Sequence, residues 1–450
     1  MLLTVNLPKH RSSSYLRRVR VLIAAILFSL ARQLPAQIHA DFTVSHGVTP
    51  VGTFRARLDY DKAPRTCANF IGLANGTRPW IDVTTGEVRA GVPFYDGLTF
   101  HRLIHDFMIQ GGSPNGLGTD GPGFSIQDEF HPSLRHNGRY VLSMAKSSLP
   151  ASGGSQFFIT LEDSSMLDDK HSVFGEVTDG RAIFDLFASS TLFPTDRSYA
   201  GAPANDPNYS DTPLTPIVID SVVISGPSLA AFDIDDPALR LPHVVPQPTL
   251  APSRDALAET FSFAFERQAQ TEYLIFRSLD LQTWSPRPRI LSVDGPYPYA
   301  FTFSGVPYPR YFIRLPAVDY GDVPNAPSDL TAAGRVLTFT DRSGNTVSLT
   351  FNGAGGGTWS DSLSGSGQLN SASWYDLIPA SGASSTSSGF APQLPLGQFT
   401  ASFDTPAGAN GWQFLNARLS FHEPLSGHAD GSADIGASSV PAREAFTLSP

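Results

Sequence analysis

Four short stretches hold most of the residues that could do chemistry. Phe-His-Arg-Leu-Ile-His-Asp-Phe-Met-Ile-Gln-Gly-Gly at 100–112 brings Arg102, Phe107, Met108 and Gln110, and Gly-Arg-Tyr-Val-Leu-Ser-Met-Ala at 138–145 ends on Ala145. Gly-Gly-Ser-Gln-Phe-Phe-Ile-Thr at 153–160 brings Gln156 and Phe158, and Leu-Asp-Asp-Lys-His-Ser-Val-Phe-Gly at 167–175 brings Leu167 and His171. A guanidinium stays protonated at neutral pH, so Arg102 can donate hydrogen bonds and stabilise charge but cannot act as a general acid. Gln110, Gln156 and His171 can orient a polar chain, and Phe107, Met108, Phe158 and Leu167 are materials for an apolar socket. Covalent chemistry has no comparable candidate. Ser155 has no nucleophile elbow around it. Cys67, the sole cysteine, follows Pro64 in a stretch whose Phe70, Ile71 and Leu73 form an apolar stripe, so it reads as a buried structural thiol.

Other motifs fall away on physical grounds. Gly-Leu-Gly-Thr-Asp-Gly at 116–121 spells a dinucleotide fingerprint, but Pro122 and Gly123 follow where a helix would have to start, so it reads as a loop. The aspartates at 233, 235 and 236 and the His422, Glu423, His428 group lack the ligand count and spacing of a calcium or zinc site, so no metal is expected. With 31 Lys and Arg against 41 Asp and Glu, a net charge of −10 argues against a nucleic-acid partner.

The elements that must position these residues are strands. A hydrophobic fraction of 41% is globular, while 39 Gly and 37 Pro favour turns over long helices, so the chain is expected to be mainly β. Residues 1–40 read as a signal peptide: Arg17, Arg18 and Arg20 precede an apolar run at 21–31, then Pro35, Ala36 and Ala40. As a helix that run rises only about 16 Å, short of a ~30 Å hydrocarbon core, so no membrane span is expected after its removal. Residues 41–226 alternate strands and Gly-rich loops as one domain, with loop insertions at 75–92 and 189–216. A Pro-rich linker is expected at 227–252, a small β-sandwich-like domain at 253–320 and a β-rich C-terminal domain at 326–450.

In order and spacing, the four stretches resemble the signature segments of the cyclophilins, over residues 41–226. The resemblance implies a closed eight-stranded antiparallel barrel with two capping helices, near 64–74 and 179–188; the one or two small β-sandwich-like domains expected after it rest on the strand patterns alone. It implies peptidyl-prolyl cis-trans isomerase activity without a cofactor. By similarity, Arg102, Gln110 and His171 carry catalysis, while Phe107, Met108, Ala145, Gln156, Phe158 and Leu167 bind the substrate. Two positions depart from the pattern: Met166 stands where many members carry a Trp that contacts cyclosporin, and Lys146 replaces a common Asn, which bears on substrate preference.

The residue types suit that reaction. Turning an X-Pro bond breaks amide resonance against a barrier of about 18–20 kcal/mol, although the two planar isomers differ by only about 0.5–1 kcal/mol. In the twisted state the proline nitrogen regains a basic lone pair, so a fixed donor such as Arg102 binds it better than either planar form. A 10⁵-fold acceleration needs about 7 kcal/mol of such preference. The expected partners are proline-containing segments of exported proteins, in a periplasm or outside the cell, with an envelope or matrix component for the C-terminal domains. The competing expectation is a non-catalytic proline-binding scaffold anchored by those domains.

Overall fold

The computed structural model describes residues 37–147, 151–203, 206–255, 260–268, 270–292, 297–303, 312–321, 331–340, 344–362, 365–376, 397–403, 414–423, 426–435 and 438–449. The proposed leader therefore lies outside the described residues, apart from 37–40. His422, Glu423 and His428 lie in described strands, but their side chains are outside the description.

Ten strands come first among the described residues: β1 (Ile38–His46), β2 (Thr49–Leu58), β3 (Trp80–Asp82), β4 (Glu87–Arg89), β5 (Thr99–Ile104), β6 (Met108–Gly111), β7 (Val141–Met144), β8 (Phe157–Thr160), β9 (Val173–Asp179) and β10 (Ile217–Ser225). Eight of them close a barrel in the order β1-β10-β5-β6-β8-β7-β9-β2. Period-two alternation decides what fills it. Ile38, Ala40, Phe42 and Val44 of β1 and Phe54, Ala56 and Leu58 of β2 are buried in one core with Leu103, Ile109, Phe157 and Ile159. Two helices press on that core. Helix α1 (Pro64–Asn75) starts with proline in its first turn and stops at Gly76 in the left-handed region; its Phe70 ring lies 5.8 Å from Phe157 and 5.3 Å from Phe174. Helix α2 (Ala182–Phe187) buries Ile183, Phe184 and Phe187. The barrel and both helices agree with the sequence expectation.

The two insertions are more ordered than loops. Residues 75–92 form the hairpin β3–β4. Residues 189–216 contain a short helix, α3 (Asp196–Ala200), whose N-cap Thr195 exchanges hydrogen bonds with Ser198. The Pro-rich stretch after β10 is also fastened down. Leu239 and Leu241 are buried against Ala68 and Ile126, and the backbone carbonyl of Pro242 accepts from the buried Arg78 guanidinium, which lies 4.9 Å over the Phe124 ring.

Beyond it come β11 (His243–Val245), β12 (Ala251–Asp255), β13 (Thr260–Arg267), β14 (Thr271–Ser278), β15 (Trp284–Ser292), β16 (Tyr297–Phe303), β17 (Phe312–Arg314) and β18 (Ala317–Asp319). They make two sheets, β11-β18-β14-β15 with β17 beside β14, and β12-β13-β16. The sheets meet through Phe265 and Tyr273, whose rings are 4.8 Å apart. The last eight strands are β19 (Val336–Thr340), β20 (Thr346–Phe351), β21 (Gly357–Asp361), β22 (Gly365–Asp376), β23 (Gly397–Phe403), β24 (Phe414–Glu423), β25 (Ser426–Ile435) and β26 (Ser438–Ser449). They pair in sequence order and β26 returns to β19, which closes a second barrel rather than a sandwich. Closure leaves no unpaired edge, the usual liability of an open sheet. Among the described residues, no helix is long and apolar enough to cross a membrane.

Candidate active site

Adjacent strands of the first barrel set the site on its outer wall. In the β5–β6 register Arg102 stands opposite Gln110, and in the β6–β8 register Gln110 stands opposite Phe158, so the three side chains form one row across the sheet. Ile104 and Met108 are the next opposed pair along the same face. Their neighbours Leu103, Ile109, Phe157 and Ile159 point inward and fill the core, so alternation alone delivers this set outward.

The apolar members form a cluster distinct from the barrel core. Met108, Ala145 and Phe158 are its buried floor, with Ile104, Phe107 and Leu167 half-buried around them. Leu167 arrives on a single 3₁₀ turn, Ser165–Leu167. Phe158 is held on both sides: His136 stacks on it at 5.8 Å with a 12° tilt, and His171 meets it edge-on at 5.4 Å. His171 is itself fixed by an Nδ1 contact of 3.0 Å to the Met144 carbonyl. His136 contacts Asp168 at 2.9 Å through Nδ1 and the Ser143 hydroxyl at 2.9 Å through Nε2. Burial lowers its pKa, against the raising effect of Asp168.

The polar edge is a relay of amides. Gln110 Nε2 donates to Gln156 Oε1 at 2.9 Å, and Gln156 Nε2 donates to the Asp120 carbonyl at 2.7 Å. Asp120 ties the 113–120 loop together by accepting from Ser113 and from the Asn115 backbone, which makes the glycine-rich stretch a hydrogen-bonded rim of the site. Gly112 lets this rim approach: its φ is +86° and a Cβ there would sit 2.5 Å from the Ser155 carbonyl. Ser155 donates to the Gly112 carbonyl at 2.7 Å and is buried, a brace rather than a nucleophile. Cys67 is also buried, with its thiol pKa pushed well above the ordinary value by desolvation.

Arg102 keeps 43% of its side chain exposed, and its Nε lies 3.6 Å from the Asp211 carboxylate. Met166 is exposed on the turn before Leu167. Lys146 is turned inward. Its side chain is 1% exposed and its Nζ sits 3.3 Å from Asp128, so it is tucked under the loop as an ion pair. The structure thus brings together the nine residues proposed from sequence. It adds Ile104, His136, Asp168 and Asp211, of which Ile104 and Asp168 lay in quoted stretches.

The closed barrel carries on its outer face an aromatic-walled socket edged by a guanidinium and paired amides, a shape that suits one small apolar ring of an extended peptide. That is the construction of a barrel-type prolyl isomerase. Residues 40–222 match the family model for cyclophilin type peptidyl-prolyl cis-trans isomerases. The chain is 43% identical over 174 residues to the probable peptidyl-prolyl cis-trans isomerase A of Mycobacterium leprae, covering 39% of this chain and 87% of that protein. It is 42% identical over 175 residues to peptidyl-prolyl cis-trans isomerase B of Streptomyces anulatus, covering 38% of this chain and 91% of that one. A crystal structure of a Cryptosporidium parvum cyclophilin type isomerase aligns with a TM-score of 0.33 and 25% identity, over 42% of this chain and 98% of its own. The chain belongs to the cyclophilin-type peptidyl-prolyl cis-trans isomerase family.

Proposed function

We propose that this isomerase turns X-Pro bonds of exported proteins by seating the pyrrolidine on Met108, Ala145 and Phe158, between Phe107 and Leu167, with Arg102 donating to the twisted imide nitrogen. The observation that carries the reading is the cross-strand row of Arg102, Gln110 and Phe158 beside a separate apolar cluster. An apolar ring gains by leaving water there, and holding it still lets the adjoining carbonyl swing. The guanidinium interacts more strongly with a localised lone pair than with a delocalised amide, so it favours the transition state over both ground states. Gln110 and Gln156 orient the flanking backbone, and His171 keeps Phe158 in place.

The test is the rate at which the full chain interconverts the isomers of a short X-Pro peptide, compared with Arg102→Ala. A loss on the order of a hundredfold is expected for removing one preorganised donor. Equal rates would leave proline binding without Arg-assisted catalysis.

Export rests on the basic residues, apolar run and small residues within 17–40. Export would put the enzyme in a periplasm or outside the cell. Mass spectrometry of the mature protein should find its first residue just after Ala36, because cleavage after Ala40 would remove Ile38 and Ala40 from the barrel core; an intact leader on protein retained in the cytoplasm would refute this.

A further inference from the structure

Arg102 is the centre of the proposed mechanism, yet a half-exposed arginine has many rotamers, and the residue that limits them comes from the 189–216 insertion. This segment is organised around one half-buried cation. Arg197 donates from Nε to Asp211 Oδ1 at 2.5 Å, from Nη1 to the carbonyls of Pro203 at 2.6 Å and Asp206 at 3.0 Å, and from Nη2 to the carbonyl of Tyr209 at 2.6 Å. Asp196 accepts from the backbone of Ser210 at 2.9 Å and of Thr212 at 3.0 Å, so both neighbours of Asp211 are fixed. Asp211 itself is held at φ +60°, a left-handed conformation that is strained for a residue with a side chain.

That strained residue faces the site. Its carbonyl accepts from the Leu103 backbone at 2.8 Å, which docks the insertion on β5 one residue past Arg102. Its carboxylate is 7% exposed and has Arg197 at 2.5 Å on Oδ1 and Arg102 Nε at 3.6 Å from Oδ2. Arg197 alone would neutralise this carboxylate, so the second guanidinium is not needed to offset its burial. The shortest approach to Arg102 is at Nε, the nitrogen next to the aliphatic stem.

We propose that Asp211 is a positioning residue for the isomerisation, restraining the Arg102 guanidinium so that its outer N–H groups are already placed for the twisted imide. An arginine side chain has many rotamers to lose, and restraining it before the substrate arrives removes that entropic cost from the barrier. The insertion is then a part of the catalytic apparatus rather than a connection between α2 and β10. This proposal rests on the role assigned to Arg102 above.

The experiment is a double-mutant cycle on the full chain with a short X-Pro peptide. Asp211→Asn keeps an acceptor for Arg197 and removes the charge facing Arg102. The expected result is a fall in kcat on the order of tenfold with KM changed by less than about twofold, because the apolar socket is untouched. In the Arg102→Ala background the same change should cost nothing further. Full activity of Asp211→Asn, or an equal loss in both backgrounds, would overturn the positioning role. An Arg102→Ala variant as active as the parent would instead refute the reading of Arg102 itself. If Asp211→Asn fails to fold, the Arg102 Nε–H resonance of the intact protein answers the question: a distinct, slowly exchanging signal supports the restraint, and a signal averaged with the exposed arginines contradicts it.

Discussion

Phe158 clamped between His136 and His171 shows how single residues hold this site. An aromatic wall is useful only if it does not rotate away, and two rings with fixed partners of their own prevent that. A third imidazole supplies a pH signature. His101, beside Arg102 on β5, is buried, and its pKa is lowered to about 4, mainly by desolvation, with the Arg102 charge adding and a Thr99 backbone hydrogen bond opposing. Its folded pKa lies below the unfolded value of 6.5, so the unfolded chain takes up the proton first. The stability it allows is complete above pH 6.5 and is lost as pH falls toward 4, by roughly 3 kcal/mol at most. Urea midpoints measured across that window should fall more steeply for the parent than for His101→Gln, since carboxylate titration affects both alike; parallel curves would contradict the assignment. Sequence exposed part of this scale well. Arg102, Gln110, Phe158 and His171 sit in stretches with a recognisable local pattern. His136 and Asp211 reach the site from outside those stretches, and no local spacing announces that Asp211 meets Arg102 from more than a hundred positions away.

At the scale of elements, legibility follows length and periodicity. The long alternating strands β1, β2 and β10 and the capped helix α1 are plain in the sequence, because burial on one face imposes a period of two or 3.6. The hairpin β3–β4 is not, since three-residue strands give no period, and α3 hides because its capping partner is Ser198 instead of the more usual Glu or Gln. Both insertions do work in three dimensions. One carries Asp211; the other receives the following sheets, with the Thr85 carbonyl accepting from Arg314 at 2.9 Å and Gly86 packed so close to the Phe276 ring that a side chain could not fit. The closure of the second barrel was equally out of reach, because it depends on β26 pairing with β19 across about a hundred residues.

For the whole molecule, the consequence is that the isomerase barrel and the sheets after it share a core: Leu274, Phe276, Val318 and Tyr320 are buried in the same cluster as the barrel interior. A boundary at 226 read from proline content would cut through this contact. A fragment of residues 37–226 loses the cover of Leu239 and Leu241 over Ala68 and Ile126 and the acceptor of Arg78, whose pKa is depressed to about 10 by burial. Burying each leucine is worth about 1.5–3 kcal/mol, so the fragment should melt roughly 10 °C below a fragment of residues 37–321; equal Tm values by calorimetry would show the contact to be incidental. The account as a whole stands on one guanidinium beside one apolar socket, and exchange NMR of an X-Pro peptide at equilibrium addresses it most directly. With the full chain present, cis and trans proline signals should exchange rapidly, and with Arg102→Ala the exchange should slow on the order of a hundredfold while the peptide still binds. Undiminished exchange in that variant would contradict the account.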